Sequence, residues 1–317
     1  MTSFAECGLA VGHATDIEGA TGCTVIRGRS GPFRCGVAVV GRATGTRELA
    51  LLEPSQLVDR VDAILLAGGS AYGLDAAAGV MRWMEERSRG FDVGAGVVPI
   101  VPAAVLFDLA PLGRFDARPS PEMAYAACET ATEGEIQEGA IGAGTGATVG
   151  KVAGPAHAMK GGIGCGAADA GAIHVRALAA VNALGDVRDG AGRIVAGART
   201  EDGGWLDSAA WLGSGVANAA RFDALAGKST TLCVVATNAS LDRASLGTLA
   251  RAASGALFRR ITPVATPFDG DVVFATSPMT GGVAANTAQI EALAVRALEQ
   301  AIERAVRVRA PGEVASA

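Results

Sequence analysis

The sequence predicts a layered α+β fold, because its strands come in groups with helices between them. Half of the 317 residues are hydrophobic and 19% are charged, so the chain can bury a sizeable core. The 44 glycines cluster in short loops between apolar runs, which is typical of backbone that closely approaches other backbone or a ligand. Strands and helices do not alternate steadily, so a layered sandwich is favoured over a doubly wound sheet.

Short apolar or β-branched runs predict strands in the first half of the chain. They lie at Cys23–Ile26, Gly36–Val40 and Ala63–Ala67, and a further apolar run at Val98–Leu106 is interrupted by two prolines. Apolar residues at helical spacing predict a helix over Leu74–Glu86, after a Gly-Gly-Ser turn. A second helix is predicted over Pro121–Thr132, with proline in its first turn.

The middle of the chain contains two glycine-rich segments on either side of a predicted strand. Gly139–Gly150 is predicted to be a glycine loop, and His174–Asn182 a strand that ends in a polar residue. Gly185–Lys228 is rich in Gly, Asp, Ser and Arg, so we expect a long exposed loop with a short Trp205–Trp211 segment inside it.

The character of the sequence changes abruptly near residue 230. Thr230–Thr237 and Asp271–Thr276 are predicted strands. Helical spacing predicts a helix over Leu241–Phe258, capped by Ser240 or Asp242. The longest helix is predicted at Asn286–Val308.

Composition excludes several classes of function. A net charge of −5 gives no electrostatic footprint for nucleic acid. No apolar run reaches the length of a membrane span, and the N-terminus does not have the pattern of a signal peptide, so we expect a cytoplasmic protein without membrane partners. Six scattered cysteines without CxxC spacing and only three histidines argue against a disulfide framework or a metal site.

The glycine loop that ends in Lys151 does not fit a phosphate-binding loop. Thr145 stands where the first glycine of that motif belongs, and Val152 stands where Ser or Thr would follow the lysine. We therefore expect no nucleotide and no other cofactor. A lysine in so apolar a loop would have a depressed pKa or be paired, and it would serve as a fixed hydrogen-bond donor.

A Ser–His–Asp catalytic site is not favoured. The nucleophile elbow is absent, because Tyr72 stands where the last glycine of that motif belongs. His13 and His174 lie in apolar runs and His157 in a Gly/Pro-rich segment. We interpret all three as structural histidines with satisfied hydrogen bonds.

Thr230 has a different catalytic possibility. A polar loop ends at Ser229, and Thr230 opens a buried strand. If the Ser229–Thr230 bond were cut, the new α-amine, with a pKa of about 7.7–8, could take the proton from the threonine hydroxyl. One residue would then supply both nucleophile and base. From composition alone, however, two threonines before an apolar run more often simply begin a strand.

A set of short motifs, in this order and spacing, resembles the self-processing N-terminal-nucleophile peptidases. That family includes the L-aminopeptidase/D-esterase, the β-peptidyl aminopeptidases and the nylon-oligomer hydrolase, and the similarity covers nearly the whole chain. The motifs are GHATD (12–16), TGCTV (21–25), GGSAYGLD (68–75), VPAAVLFD (101–108), GAGTGATVGK (142–151), AAVN (179–182), STT (229–231), VVATN (234–238) and TPFDGD (266–271).

The resemblance implies roles for five side chains. Thr230 matches the nucleophile released by autocleavage after Ser229. Asp269 and Asp271 match a carboxylate pair that orients the new amino group and the nucleophile. Asn182 matches an oxyanion donor and Lys151 an active-site lysine; taken without the resemblance, these four residues fit an Asp-Gly turn, a strand-end asparagine and a surface lysine equally well.

The resemblance also implies the architecture and the activity. The family fold is a four-layered αββα sandwich, so we expect one domain over 1–317, cleaved into 1–229 and 230–317, in a homotetramer of cleaved protomers. The expected activity is hydrolysis of small peptides, β-peptides or amino-acid amides and esters through an acyl-enzyme. The alternatives are an ornithine-acetyltransferase-like acyltransferase and an uncleaved, non-catalytic binding or scaffold protein of the same fold.

Two positions depart from the family pattern. Phe107 stands where some relatives carry tyrosine, so any contribution from a hydroxyl there is lost. Ser229 stands where many relatives carry asparagine before the nucleophile. Because the attacking group is the threonine, we still expect cleavage.

Overall fold

Two five-stranded sheets lie face to face between two layers of helices, as seen in a computed structural model that describes residues 2–215 and 228–307. The strands are β1 (Leu9–Asp16), β2 (Thr21–Gly28), β3 (Phe33–Val39), β4 (Gly45–Arg47), β5 (Ala63–Ala67), β6 (Phe91–Asp92), β7 (Val97–Val98), β8 (Ala103–Val105), β9 (Thr148–Val149), β10 (Met159–Lys160), β11 (Gly162–Ala170), β12 (Ile173–Asn182), β13 (Asp186–Arg188), β14 (Ile194–Ala196), β15 (Thr230–Thr237), β16 (Ile261–Thr262) and β17 (Val272–Pro278). The α-helices are α1 (Ala77–Glu85), α2 (Pro121–Glu129), α3 (Ser208–Gly213), α4 (Arg243–Ala253), α5 (Gly255–Arg260) and α6 (Thr287–Arg307).

The first sheet has the strand order β1-β2-β5-β8-β4 and the second the order β11-β12-β15-β17-β3. In the second sheet, β12 pairs antiparallel with β15, and β15 pairs parallel with β17. The polar ends of β12, β15 and β17 are thereby brought to one end of the sheet. Strand β3 crosses over from the N-terminal half of the chain to close the edge of the second sheet.

Three apolar clusters hold the layers together. The cluster between the sheets combines Ile64 and Leu66 of the first sheet with Leu178, Val234 and Phe274 of the second. The outer face of the first sheet packs against α1 and α2, and that of the second sheet against α4, α5 and α6. This helix–sheet–sheet–helix stack confirms the predicted αββα sandwich, since each sheet buries both faces.

Several predicted elements are confirmed with small shifts at their ends. Ala63–Ala67 and Thr230–Thr237 are strands with the predicted bounds. The predicted helix over Leu74–Glu86 begins as a 3-10 turn, Ser70–Ala76, before α1. Asp242 caps α4 by accepting a 2.8 Å hydrogen bond from the Ser245 amide, which decides between the two predicted capping residues.

The predicted single helix over Leu241–Phe258 is wrong, because it is broken into α4 and α5 at Ser254. The predicted long exposed loop over Gly185–Lys228 is also wrong where the structure describes it, since that segment contains β13, β14 and α3. Residues 216–227 of that prediction lie outside the described residues.

A buried carboxylate explains the strands and the helix in the described part of this segment. Asp186 is fully buried and accepts hydrogen bonds from the Ala198 amide at 2.8 Å and from the Ser208 amide and hydroxyl at 2.6 Å each. A carboxylate with three such donors anchors the strands to the start of α3. Asp186 and Ser208 therefore satisfy each other inside the fold, whereas residues such as Asp202 remain exposed.

No helix in the two described ranges is both long and apolar enough to cross a lipid bilayer.

Candidate active site

The end of β12 and the start of β15 form a buried polar cluster. The strand register places Asn182 directly opposite Thr230. A parallel bridge joins Ser229 to Asp269 just before β17, and a backbone hydrogen bond joins the Lys151 amide to the Leu184 carbonyl oxygen after β12. The fold thus brings together all five side chains that the sequence singled out, although they come from positions 151 to 271.

Lys151 is buried and uses all three ammonium protons. Its Nζ donates to the Asn182 carbonyl oxygen at 2.9 Å, to Asn182 Oδ1 at 2.7 Å and to the Lys228 carbonyl oxygen at 2.8 Å. Burial lowers the pKa of this lysine to about 7, and the negative charges of Asp269 and Asp271 oppose that shift. Lys151 is both a fixed donor and a group that can release its proton near neutral pH.

A glycine lets the lysine reach the cluster. Gly150 has a φ of +70°, and a Cβ there would lie 2.0 Å from the Ala198 nitrogen. Only glycine fits such a left-handed, crowded position. The glycine loop therefore serves to position a side chain.

Asn182 is fully buried, and its amide orientation is fixed from both ends. Its Oδ1 accepts from the Thr148 amide at 3.0 Å as well as from Lys151. Its Nδ2 donates to the Phe107 carbonyl oxygen at 2.9 Å and, at 3.5 Å, to the Lys228 carbonyl oxygen. The side chain therefore faces the carbonyl one residue before the Ser229 carbonyl.

The peptide between Ser229 and Thr230 lies inside this cluster. Thr230 Oγ1 donates a 2.6 Å hydrogen bond to the Ser229 carbonyl oxygen, and the Gly270 amide donates to the same oxygen at 2.9 Å. Both Ser229 and Thr230 are buried. The hydroxyl is thus next to the carbonyl that precedes it, and that carbonyl already has a donor in place.

The sequence reasoning did not identify Gly270 as a functional position, because a backbone amide leaves no side-chain signature. The only signal is its place between two acidic residues. A Cβ at Gly270 would lie 2.6 Å from the Ala43 carbonyl oxygen and 2.8 Å from Thr230 Oγ1. Glycine is therefore required for the close approach of this loop to the threonine.

The two carboxylates are buried and are not a solvated turn. Asp271 Oδ1 accepts from the Thr231 amide at 2.6 Å, and its Oδ2 from the Ala265 amide at 3.3 Å. Asp269 Oδ2 accepts from the Thr266 amide at 2.9 Å and from its hydroxyl at 2.6 Å.

Burial raises the pKa of both carboxyl groups. For Asp271, burial and then the charge of Asp269 raise the pKa to about 7. Two like charges in one buried site disfavour double ionisation, so the pair can hold a proton at neutral pH. A hydroxyl, an oxyanion donor and proton-accepting groups are therefore assembled around one peptide bond, as acyl transfer requires.

The three histidines lie outside this cluster. His157 and His174 pair through Nδ1 with the Arg199 carbonyl oxygen and with Asp169. His13 Nδ1 lies 2.9 Å from Thr24 Oγ1, but its buried Nε2 has no hydrogen-bond partner among the described residues. Burial lowers the pKa of His13 to about 4, so its ring is neutral at physiological pH.

Comparison with known proteins places this cluster in a family context. The profile of peptidase family S58 matches residues 7–310. An uncharacterized aminopeptidase of Mycobacterium tuberculosis is 41% identical over 278 residues, which are 80% of this chain and 75% of that protein. A 6-aminohexanoate-oligomer endohydrolase of Agromyces sp. is 30% identical over 94% of this chain and 82% of that protein.

Solved structures share the fold. The L-aminopeptidase D-Ala-esterase/amidase of Ochrobactrum anthropi, described as a variant of the Ntn hydrolase fold, has a TM-score of 0.70 at 20% identity and covers 94% of this chain and 83% of its own. A β-aminopeptidase of Burkholderia sp. has a TM-score of 0.67 at 21% identity, with 94% and 84% covered. The chain shares the fold of these two structures. It is a hydrolase of the peptidase or amidase type, and it belongs to peptidase family S58.

Proposed function

We propose that the protein cleaves itself between Ser229 and Thr230 and then hydrolyses amide bonds with Thr230 as an N-terminal nucleophile. The observation that carries this proposal is the arrangement at the Ser229 carbonyl oxygen. The Thr230 hydroxyl donates a hydrogen bond to this oxygen at 2.6 Å, and the Gly270 amide donates a second one at 2.9 Å. A nucleophile and an oxyanion donor therefore meet at the bond to be cut.

The cleavage step follows from this geometry. Thr230 Oγ1 gives its proton to a neighbouring base and attacks the Ser229 carbonyl carbon, and the resulting oxyanion is held by the Gly270 amide. The C–N bond then breaks as the threonine nitrogen takes a proton, which leaves an ester between Ser229 and Thr230 Oγ1. Water hydrolyses the ester to a Ser229 carboxylate and a free Thr230 α-amine.

The groups we propose as the base for this step are Lys151 and Asp271, the buried ionisable side chains of the cluster. Burial brings the pKa of Lys151 down to about 7 and that of Asp271 up to about 7. Groups with pKa values near the working pH exchange protons most effectively. After cleavage, the α-amine of Thr230 becomes the base for its own hydroxyl, and the same oxyanion donor serves the substrate.

The experiment is an intact-mass and Edman analysis of the purified protein. We expect two fragments, 1–229 and 230–317, with one N-terminus reading Thr-Thr-Leu-Cys. Thr230→Ala should remain whole and inactive, whereas Thr237→Val, at the far end of the same strand, should still be cut. The proposal is contradicted if active protein has only the N-terminus that begins at residue 1. It is also contradicted if the Thr230→Ala variant is cleaved at this bond.

The substrates we propose are small peptides, β-peptides or amino-acid amides and esters. The named relatives include an aminopeptidase and an endohydrolase of 6-aminohexanoate oligomers. Assays should therefore test cleavage of both terminal and internal amide bonds in oligomeric substrates. An ornithine-acetyltransferase-like activity would transfer the acyl group to ornithine, and mass analysis of the products separates transfer from release into water. A cytoplasmic location and a tetramer of cleaved protomers are the accompanying proposals, testable by fractionation and by light scattering.

A further inference from the structure

We propose that Lys151 binds a carbonyl oxygen of the substrate, one residue upstream of the bond being hydrolysed. The site would then favour acyl groups that carry an amide at that position, such as N-acylated residues and oligomers, over single residues with a free amine. This inference rests on the proposed function, and it concerns the acyl side of the substrate only.

The first step is that the uncleaved chain occupies its own acyl site. Lys228 and Ser229 precede the bond to be cut, so they stand where the acyl part of a substrate must stand. The Ser229 carbonyl oxygen accepts from the Gly270 amide at 2.9 Å. The carbonyl oxygen of Lys228 accepts from Lys151 Nζ at 2.8 Å and, at 3.5 Å, from Asn182 Nδ2. Two successive carbonyls are therefore each held by a separate donor.

The second step concerns what remains when the new chain end at Ser229 withdraws. The other two protons of Lys151 stay on Asn182, at 2.9 Å from its carbonyl oxygen and 2.7 Å from Oδ1. These bonds keep the amine in place while its third donor loses the Lys228 carbonyl. A buried donor left without a partner is unfavourable, so a substrate carbonyl at the same place would be bound in its stead.

The third step is that the carboxylates beside Thr230 are already engaged. Asp271 accepts backbone donors on both oxygens, and Asp269 accepts from the Thr266 amide and hydroxyl. The new α-amine of Thr230 adds a further hydrogen-bond donor close to them. A substrate ammonium would compete with all of these donors for the carboxylates. An acylated nitrogen is uncharged and does not need a carboxylate partner.

The side-chain pocket for the acyl residue can be read in the same way. Ser229 is 1% exposed, and its Oγ has no hydrogen-bond partner among the described residues. An alanine in that position fits the same space without a buried, unpaired hydroxyl. Substrates with alanine as the acyl residue are therefore suitable probes.

The experiment compares three p-nitroanilides on the matured wild-type enzyme. Acetyl-alanyl p-nitroanilide offers the upstream carbonyl, alanyl p-nitroanilide offers a free ammonium, and 2-methylpentanoyl p-nitroanilide has the shape of the acetyl compound without its amide. We expect kcat/KM for the acetyl compound to exceed both others by about tenfold or more, the size expected for a hydrogen bond to a charged donor.

The same comparison on Lys151→Met, if that variant matures, should bring the acetyl and 2-methylpentanoyl compounds to similar rates. The three wild-type assays use the same enzyme and differ only in the substrate. Their result therefore stands even when the variant does not fold. Protein with a proven Thr230 terminus that prefers alanyl p-nitroanilide or treats all three alike overturns this inference alone. Protein with that terminus that hydrolyses none of the three contradicts the proposed amide hydrolysis. Protein without that terminus overturns the proposed function instead.

Discussion

The amide nitrogen of Gly270 lies 2.9 Å from the carbonyl oxygen of Ser229 and donates a hydrogen bond to it. A side chain at position 270 would disturb this bond. This backbone donor needs no reorganisation when negative charge develops on the oxygen, which is the property that makes oxyanion holes effective. Its position depends on the backbone of Asp269 and Asp271, which is held by the segment that follows β3. The Asp269 carbonyl oxygen accepts from the Arg42 and Ala43 amides at 2.7 and 2.9 Å.

Gly270→Ala should slow self-cleavage by about tenfold or more, since removing one oxyanion donor typically costs 10²–10³ in rate. The added Cβ would lie 2.6 Å from the Ala43 carbonyl oxygen and 2.8 Å from Thr230 Oγ1, so the loop must shift and carry the amide with it. Intact-mass spectra over time measure the uncut fraction. Gly247→Ala in α4, where a Cβ meets nothing within 4 Å, is the control, and equal cleavage rates for the two variants contradict the prediction.

Apolar runs and helical spacing predicted the layers of the fold, but three strands of the two large sheets, β1, β4 and β11, were not predicted. β11 (Gly162–Ala170) contains glycine and alanine where strand signals would be β-branched. A Cβ at Gly164 would lie 2.2 Å from the Ala301 carbonyl oxygen of α6, so these positions are small because a helix packs directly on the strand. Because the helix packs so closely, this strand has glycine and alanine instead of the β-branched residues that predict a strand.

At the candidate site, the side chains could be predicted from the sequence, but the groups that hold them in place could not. Lys151, Asn182 and Thr230 could be named from a resemblance, because each has a distinctive side chain within a motif. The partners that orient them are mostly backbone groups, such as the Lys228 carbonyl and the Gly270 amide. These are visible only once the register of β12 with β15 is known.

Asn182→Ala should destabilise the uncleaved protein by about 2–4 kcal/mol, because the Thr148 amide and the Phe107 carbonyl would each lose a buried partner. Urea unfolding of the variant on a Thr230→Ala background measures this without interference from cleavage. Asn238→Ala provides a comparison, since that side chain also bridges two backbone groups at a strand end but is partly exposed. A loss at Asn182 no larger than that at Asn238 is the contradicting result.

Asp186→Ala should loosen the segment that leads towards the cleavage site. The change leaves two buried amides and the Ser208 hydroxyl without their acceptor, so we expect a loss of about 3 kcal/mol or more and faster proteolysis between residues 189 and 215. Limited trypsin digestion of the Thr230→Ala protein detects the opening. Asp202→Ala, an exposed residue of the same segment, should leave the digestion rate as it is, and an unchanged pattern in Asp186→Ala would show that the carboxylate is not the anchor.

Asp271 should make the folded protein less stable as pH rises from about 4 to 7. Burial raises the pKa of Asp271 from 3.8 to about 7, so in this window the folded chain holds a proton that the unfolded chain releases. The unfolded state then binds fewer protons, and the free energy of unfolding falls with rising pH. Lys151 contributes no slope here, because it is protonated in both states below its lowered pKa of about 7.

Urea unfolding of the Thr230→Ala protein at pH 4.5, 5.5, 6.5 and 7.5, with and without Asp271→Asn, measures this contribution. The asparagine cannot release a proton, so the double variant should lose less stability between pH 4.5 and 6.5 than its parent. Asp116→Asn, at a side chain that is 82% exposed, should keep the parent's slope. If Asp271→Asn leaves that slope unchanged, Asp271 is ionised in the folded protein throughout the range, and the proton held near Thr230 must reside on another group.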